Sequence, residues 1–538
     1  EVSDVRKLIF TDFGGHNIYH VSYQLTFKTQ SVPLLVIDIA EFDKLANKNG
    51  VESACRELCI DWLSHLYLSC PRLQRPIVAL THSDQVTEEC LKHRRQQLIE
   101  VTEQIRVNII QTEQKFAYAK NPILTMTSFA DLTNPLISDN NIMTFSDIST
   151  ESDIDALKAA LTDAGSGMVT ELPGSWYRQL LKITEQKDKS FIELSDINKE
   201  FPEDEEHVVL EYLHDAGSIM WYKNIVPLSN IVFHRADVLI LLIQVLYNHT
   251  QDDEWEKRLN NFKEFVSNGK SVGKEKYTAM IDNFKDTGVM EGTLLLNLLK
   301  IESQELPTNI ALEILKTFHL LYRCGPPDAP ASCQKYIFPY FAKRTITAPN
   351  VHTHLTPLKV DLLLCGLPVP TYVFSLITAA YLGMNSSPEN YPEVGENGAI
   401  VRNENGLIKY LIHNPSEKCV TFMTLTPIED ICQAWKDILN SLKMLITDLK
   451  SEWKGVRYEN VFYCSHCLIT YKSDPTKTVD PDWFQVGSTH SELSNADAPS
   501  TAARPYTGRE TAVCRKETER EKQRIPKPLM VPCKFKPI

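Results

Sequence analysis

Short apolar runs with helical segments between them constrain the fold of this chain more than any other feature. The runs lie at 8–12, 33–39 (PLLVIDI), 76–80 (PIVAL) and 141–145. Apolar residues at helical spacing separate them at 52–68 and 86–110. Strands that are apolar throughout need cover on both faces, so this alternation predicts an α/β domain with a parallel sheet, which we place at 1–165.

The chain changes character twice beyond this domain. Residues 172–345 carry amphipathic helical patterns, among them HVVLEYLHDAGSIMWY in a context typical of a winged-helix unit. Strand-like segments return in 346–470 and precede a long helix at 428–449, which predicts an α+β region. Residues 471–538 turn polar, Pro-rich and finally basic, and indicate a linker and tail with little structure of their own. No internal repeat is evident.

Composition excludes several classes of protein. A chain of 538 residues is long enough for about three or four domains. Its net charge of -13 argues against general nucleic-acid binding, which needs a basic face. No uninterrupted apolar run reaches the roughly 18 residues that a membrane-spanning helix needs.

The N-terminus and the cysteines bear on origin and compartment. The chain starts at Glu1 and enters an apolar strand at once, without the pattern of a signal peptide, so we expect it to begin inside a domain. Its 13 cysteines are scattered, mostly in apolar contexts such as Cys59 and Cys70. That pattern favours reduced thiols and a cytoplasmic protein over a disulfide framework.

The loop after the first apolar run has the chemistry of a phosphate sensor. Asp12 closes the run and Gly15 follows three residues later. A carboxylate at this place can reach Mg²⁺ through water, and a glycine lets a backbone N–H approach a terminal phosphate. The same residues are also compatible with a plain turn at the end of a strand.

A second motif follows the third apolar run. Thr81, His82, Ser83 and Asp84 begin where 76–80 ends, and ligand loops of α/β domains lie at the carboxyl ends of strands. The Asp84 carboxylate could accept two hydrogen bonds from the edge of a guanine ring. The alternative is that Asp84 is a helix N-cap.

These segments resemble the Roc domain of Roco proteins, a Ras-like GTPase domain. TDFGGHNIYHVSYQLTFKTQSVPLLVIDI is similar to the family's switch-II segment, and THSD to its guanine-specificity motif. The resemblance implies GTP or GDP with Mg²⁺ as ligands, with Asp12 near the metal, Gly15 near the terminal phosphate, and Thr81, His82 and Asp84 near the base. Ser146 lies where the family's last base-contacting loop belongs.

Two departures from the family pattern affect the expected activity. His16 stands where many Ras-like proteins have the glutamine that orients the attacking water, which implies slow hydrolysis. The phosphate-binding pattern G-x-x-x-x-G-K-[ST] does not occur in the sequence and would lie upstream of Glu1. We therefore expect an incomplete Ras-like domain.

The resemblance continues into the COR module that follows Roc in the family. LPGSWYRQLL and EYLHDAGSIMWY are similar to the start of COR, and LPVPTYVFSLITAAYL to its second half. It implies a COR-A half at 172–345 and a COR-B half at 346–470. It also implies a homodimer through COR, with the apolar run at 374–381 near the two-fold axis. Kinase motifs, which follow COR in some members, do not occur in the sequence.

Cys464 and Cys467 form the one close cysteine pair. A zinc site needs four ligands, and Cys514 and Cys533 could complete it at irregular spacing. A purely structural role and a redox pair are the alternatives.

Two further interpretations of the whole chain stay open at this point. One is a signalling scaffold in which the GTPase domain is degenerate and COR assembles the protein, an interpretation that His16 favours. The other is a winged-helix DNA-binding protein, which the acidic charge disfavours.

Overall fold

The structure is a computed structural model of mixed α/β type with several small sheets. It describes residues 32–69, 76–118, 137–146, 151–166, 174–185, 189, 191–198, 206–347, 355–365, 371–386, 392–402, 407–414, 419–452, 457–462 and 486–488, except 216, 224, 227, 248–250, 268, 303–305 and 327. One compact unit contains the described residues of Leu172–Ile281 and Glu291–Thr317. The other contains those of Thr29–Glu171, Asp282–Met290 and Phe318–Ile538.

A three-stranded parallel sheet forms the first part of the described chain. Its strands are β1 (Leu34–Asp38), β2 (Ile77–Thr81) and β3 (Ile142–Thr144), in the order β1-β2-β3. Leu34 pairs with Ile77 and Asp38 with Thr81, so β1 and β2 end level with each other. The strands predicted at 33–39, 76–80 and 141–145 and their parallel pairing are confirmed, while the run at 8–12 lies outside the described residues.

Helices follow each of these strands. They are α1 (Ile39–Asn49), α2 (Val51–Cys55), α3 (Asp61–Ser69), α4 (Glu88–Tyr118) and α5 (Glu151–Ser166). The sheet buries Leu35, Ile37 and Val78 in a common core with α1. Val36 on the opposite side of β1 is 58% exposed, so the predicted cover on both faces is incomplete at that point of the described chain.

The helix predicted at 52–68 contains one π-helical turn, Arg56–Ile60, between α2 and α3. A π turn holds one residue more than an α turn and shifts the phase of the side chains after it. Cys55 before the π turn, Cys59 within it and Leu63 after it are all fully buried. The local change therefore keeps a long apolar stripe facing the core.

The unit that starts at Leu172 opens with alternating helices and short strands. Its elements are α6 (Gly174–Glu185), β4 (Phe191–Glu193), α7 (Leu194–Asn198), α8 (Glu206–Asp215), β5 (Met220–Trp221) and β6 (Ile231–Phe233). The strands form an antiparallel sheet in the order β4-β6-β5. Ile192, Leu213 and Trp221 are buried between the sheet and the helices.

Two helices and a hairpin come next in the chain. They are α9 (Ala236–Gln244), α10 (Gln251–Asn260), β7 (Phe265–Ser267) and β8 (Lys270–Val272). Trp255 of α10 is fully buried, and Arg258 lies over its ring at 4.5 Å from the centroid.

The same order of elements then occurs a second time. The elements are α11 (Lys274–Thr287), β9 (Val289–Glu291), α12 (Gly292–Glu302), α13 (Thr308–Thr317), β10 (Tyr322–Cys324) and β11 (Lys335–Ile337), with the strand order β10-β11-β9. Helices α8 and α13 have ten residues each and begin 102 positions apart. Gly217 and His319, which follow them at that same offset, both have positive φ, of 72° and 55°. The sequence-based expectation of no repeat was wrong at the level of topology.

The last part of the chain forms the largest sheet. Its strands are β12 (Thr356–Cys365), β13 (Glu393–Gly395), β14 (Gly398–Arg402), β15 (Ile408–Asn414), β16 (Cys419–Thr426), β17 (Arg457–Phe462) and β18 (Val486–Ser488). They are antiparallel in the order β13-β14-β15-β16-β12-β17-β18. Helices α14 (Thr371–Asn385) and α15 (Ile431–Glu452) accompany the sheet, as predicted for α+β.

Helix α14 packs on one face of this sheet. Phe374 lies against the His413 ring with 4.7 Å between centroids, and Tyr381 against Phe422 at 5.9 Å. Phe374, Ile377 and Tyr381 are at most 4% exposed. The apolar run at 374–381 is thus core of the single chain, and the expectation that it surrounds a two-fold interface was wrong for these side chains.

No helix within the described ranges combines the length and apolar character needed to cross a membrane.

His413 is a buried imidazole in this core. Its Nε2 lies 3.1 Å from Oγ1 of Thr378, whose hydroxyl donates to the Phe374 carbonyl, so the ring nitrogen is the donor. Burial lowers the pKa of His413 to about 3. The unfolded chain, where a histidine has a pKa of about 6.5, therefore binds a proton that the folded chain excludes.

This buried histidine predicts acid sensitivity. The stability that neutral His413 contributes is complete above about pH 6.5 and falls as the pH decreases toward its folded pKa. Between pH 7 and 4.5 we expect the free energy of unfolding to fall by about 2–3 kcal/mol more in the wild type than in His413→Gln. Denaturant titrations across this range measure the difference. Replacement of the exposed His93 by Gln is the control, and equal slopes for wild type and His413→Gln would contradict the prediction.

Candidate functional site

The carboxyl edge of the parallel sheet brings the predicted base-binding loops together. Ser83 N–H donates to the Phe145 carbonyl at 3.0 Å, and Phe145 N–H donates to the Leu80 carbonyl at 2.7 Å. Two loops that lie more than 60 residues apart in sequence are therefore joined by main-chain hydrogen bonds. Thr81, His82, Asp84 and Ser146, all predicted site residues, belong to this one edge.

Thr81 ends β2 and connects it to its neighbour. Its Oγ1 donates to the Ile37 carbonyl of β1 at 3.4 Å, and the residue is half-buried. This long hydrogen bond directs the Thr81 side chain toward the neighbouring strand. Ser146, the second residue after β3, is half-buried as well.

His82 has an unusual backbone. Its φ of 56° and ψ of 36° are left-handed, a conformation that costs a residue with a Cβ atom roughly 1–2 kcal/mol. Its ring Nδ1 lies 3.1 Å from Oδ2 of Asp38, and both side chains are about two-fifths exposed. A pair this exposed contributes at most about 1 kcal/mol, so it offsets only part of the strain.

Asp38 is the residue at this edge that sequence analysis did not single out. It ends β1, and its Oδ1 accepts hydrogen bonds from the N–H groups of Ala40 and Glu41 at 2.9 and 3.0 Å, which makes it the N-cap of α1. The signal was present, since an aspartate between an apolar strand and a helix is a typical cap. Its proximity to His82 depends on the pairing of β1 with β2.

Asp84 is not a helix cap. It lies in a 3-10 turn, Ser83–Gln85, with an exposed side chain, and α4 begins only at Glu88. Thr87 caps that helix, because its Oγ1 accepts from Cys90 N–H at 3.2 Å. The alternative role considered for Asp84 is therefore taken by Thr87.

The charges of this edge are mostly negative. Asp38 and Asp84 lie on it together with His82, whereas Glu88 at the start of α4 pairs with Lys92 at 3.2 Å. Arg94, on the second turn of α4, pairs with Asp43 at 2.8 Å, and that guanidinium lowers the pKa of the Asp43 carboxyl. The edge thus suits a group rich in hydrogen-bond donors, such as the N–H edge of a base, better than a phosphate.

The remaining predicted site residues lie outside the described residues. They are Asp12, Gly15, His16, Cys464 and Cys467. Within the part of the chain that the structure describes, no group of three or more His, Cys, Asp or Glu side chains could hold a metal ion. The magnesium and zinc expectations stay predictions.

The chain matches no family model, and no curated protein matches it.

Two alanine variants test the assignment of the cap. Thr87→Ala should lower the free energy of unfolding by about 1 kcal/mol, because it leaves an N-terminal N–H of α4 without its acceptor. Asp84→Ala should change it by less than about 0.5 kcal/mol, as an exposed side chain outside the helix does. Thermal and denaturant unfolding of both variants measure this, and a larger loss in Asp84→Ala would restore the structural role.

Proposed function

We propose that this chain belongs to a Roco-type guanine-nucleotide switch, in which a Ras-like Roc domain is coupled to a COR module that dimerises and transmits the nucleotide state. The observation that carries the proposal is the junction of the THSD loop with the loop of Phe145 and Ser146 at the carboxyl edge of a parallel sheet. Nucleotide-binding α/β domains bind their ligands at this edge.

Asp84 supplies the chemistry that selects guanine. Guanine presents two neighbouring N–H donors along one edge, and a carboxylate accepts both in a bidentate, charge-assisted pair. Adenine lacks that pair of donors. The exposure of the Asp84 side chain at this edge supports this role, and the N-cap of α4 is Thr87.

The other predicted ligands have separate duties in this proposal. Thr81 and His82 shape the loop beside the base, and Ser146 lies next to it. Asp12 would hold Mg²⁺ through water, and Gly15 would lie by the terminal phosphate. Bound Mg²⁺ would neutralise charge on the phosphates.

The GTPase activity that we propose is slow. His16, at the position of the water-orienting glutamine, cannot offer a carboxamide to the attacking water. This residue is also the reason to keep a second candidate, a dimeric signalling scaffold whose GTPase domain is degenerate. The two candidates differ in whether bound GTP turns over.

DNA binding is a poorer interpretation of the winged-helix unit. Helix α8, which occupies the position of a recognition helix, has the sequence EHVVLEYLHD and carries no Lys or Arg. Its Glu211 pairs with Lys223 of the loop between β5 and β6. Phosphate contacts need free cations on such a surface.

The cysteines support a reducing compartment such as the cytoplasm. Cys55 and Cys59 are free thiols, and both are fully buried. Burial raises the pKa of the Cys55 thiol to about 12, which keeps it protonated and unreactive.

Replacing Asp84 tests the nucleotide specificity. In the full-length protein as expressed from its own coding sequence, Asp84→Asn should weaken GDP binding by about 10- to 150-fold, since two charge-assisted hydrogen bonds are lost. Xanthosine diphosphate has a carbonyl where guanine has its amino group, so its affinity should rise in the variant. Isothermal calorimetry with both nucleotides measures the exchange of preference.

Glu88→Gln, which removes a neighbouring exposed charge, is the matched control and should leave both affinities unchanged. Unaltered GDP affinity in Asp84→Asn would remove the base-binding role. If the wild type binds GTP without turnover, the scaffold interpretation replaces the switch.

The COR part should make the chain a homodimer. A closed two-fold pair is the commonest geometry of homo-oligomers. Light scattering at tens of micromolar should give twice the mass of one chain, and a monomer at that concentration contradicts the proposal. Phe374→Ala separates core from interface: it should lower the free energy of unfolding by about 3–5 kcal/mol, because Phe374 is buried within one chain.

A further inference from the structure

We infer that Asp38 is a positioning residue for the loop 81–85 and acts on it through His82. The inference rests on the proposed function for its meaning in nucleotide binding, since Asp84 belongs to this loop. The contact of Asp38 with His82, through which Asp38 holds the loop, rests on the structure alone.

The Asp38 carboxylate uses its two oxygens for different tasks. Oδ1 accepts both capping hydrogen bonds of α1, from Ala40 and Glu41. These bonds fix the side chain and leave Oδ2 directed toward the neighbouring strand, where it lies 3.1 Å from Nδ1 of His82. A charge already held in place loses little side-chain entropy on making this second contact.

His82 is where the chain leaves β2 and turns. Its left-handed backbone sets the direction of the next residues: Ser83 N–H points at the Phe145 carbonyl, and Gln85 N–H donates to the His82 carbonyl at 3.1 Å. Asp84 lies between these two. A relaxation of His82 to negative φ would redirect all three residues, so whatever holds His82 also holds Asp84.

His82 differs in this respect from the other left-handed residue that is not glycine among those described. His319 lies two positions past the end of α13, as Gly217 lies past α8, and positive φ is normal after a helix. His82 follows a strand, and glycine would be the expected residue for such a turn. Position 82 carries a histidine side chain instead, and Asp38, the one acidic residue of β1, contacts it.

The capping role and the positioning role can be separated by substitution. Serine at position 38 retains an N-cap oxygen but is too short to reach His82. Glycine at position 82 adopts positive φ without strain and has no ring for Asp38 to contact. Comparing Asp38→Ser in the wild-type and His82→Gly backgrounds therefore isolates the link between the two residues.

Amide hydrogen exchange of Ser83 reports on the loop without nucleotide. Asp38→Ser should speed its exchange about three- to fivefold, since the 3.1 Å contact between the carboxylate and the His82 ring is lost. In the His82→Gly background the same substitution should have no effect. Glu41→Gln, which removes a charge from the first turn of the same helix, is the control and should leave Ser83 unchanged.

GDP affinity of the full-length protein is the second readout. Asp38→Ser should weaken it about three- to fivefold, with no further loss when added to His82→Gly. A role of Asp38 as a cap alone would give the same loss in both backgrounds and no change at Ser83, and that result overturns the inference. If Ser83 responds as expected but the wild type binds no GDP, the positioning link stands and the proposed function fails.

Discussion

Two main-chain hydrogen bonds at the end of β2 hold the candidate site together, and the other contacts of the edge depend on them. Phe145 N–H extends the pairing of β3 with β2 past its last strand residue, and its carbonyl then receives Ser83 N–H. A loop that both donates and accepts in this way cannot move separately from its neighbour. The parallel register of β1 with β2 adds the third loop, because it places Asp38 level with Thr81. Strand pairing therefore sets the positions of the three loops in the base-binding geometry that we propose. The side chains of the site extend from these backbone positions.

Much of this could be predicted from the sequence, for identifiable reasons. The strands of the first sheet are apolar on both faces, which gives a strong signal, and polar residues directly after them fall at the ligand edge of any parallel sheet. Asp84 and Thr81 were predicted as site residues in this way. His82 could not be recognised as left-handed, because a histidine there carries none of the preference that glycine signals. The link from Asp38 to His82 also escaped prediction, since it joins residues 44 positions apart whose proximity follows from register.

The errors in the fold have physical causes too. The run at 374–381 has the composition of an interface, but a helix buried between a sheet and other helices has the same composition. The π turn at Arg56–Ile60 changes the period for one turn only, and this is too short to alter the helical pattern around it. The repeated order of helices and strands was missed because its strands are two or three residues long. Met220–Trp221 and Tyr322–Cys324 share no residue type, although they occupy equivalent places.

That second occurrence of the same order has a consequence for how the chain folds. Neighbouring copies of one topology offer each other's strands as partners, and exchange between copies is a characteristic misfolding route of repeat proteins. Each sheet here has edge strands of three residues or fewer, so backbone pairing alone discriminates poorly between its own strand and the copy's. The side chains must therefore distinguish the correct strand partner from the wrong one. They differ between the two copies: β6 is the apolar Ile231–Phe233, whereas β11 begins with the exposed Lys335. The sequence differences between the two copies make the repeat hard to recognise from sequence. The same differences disfavour pairing of a strand of one copy with the sheet of the other. A variant that made the two copies more alike would be expected to refold with a lower yield.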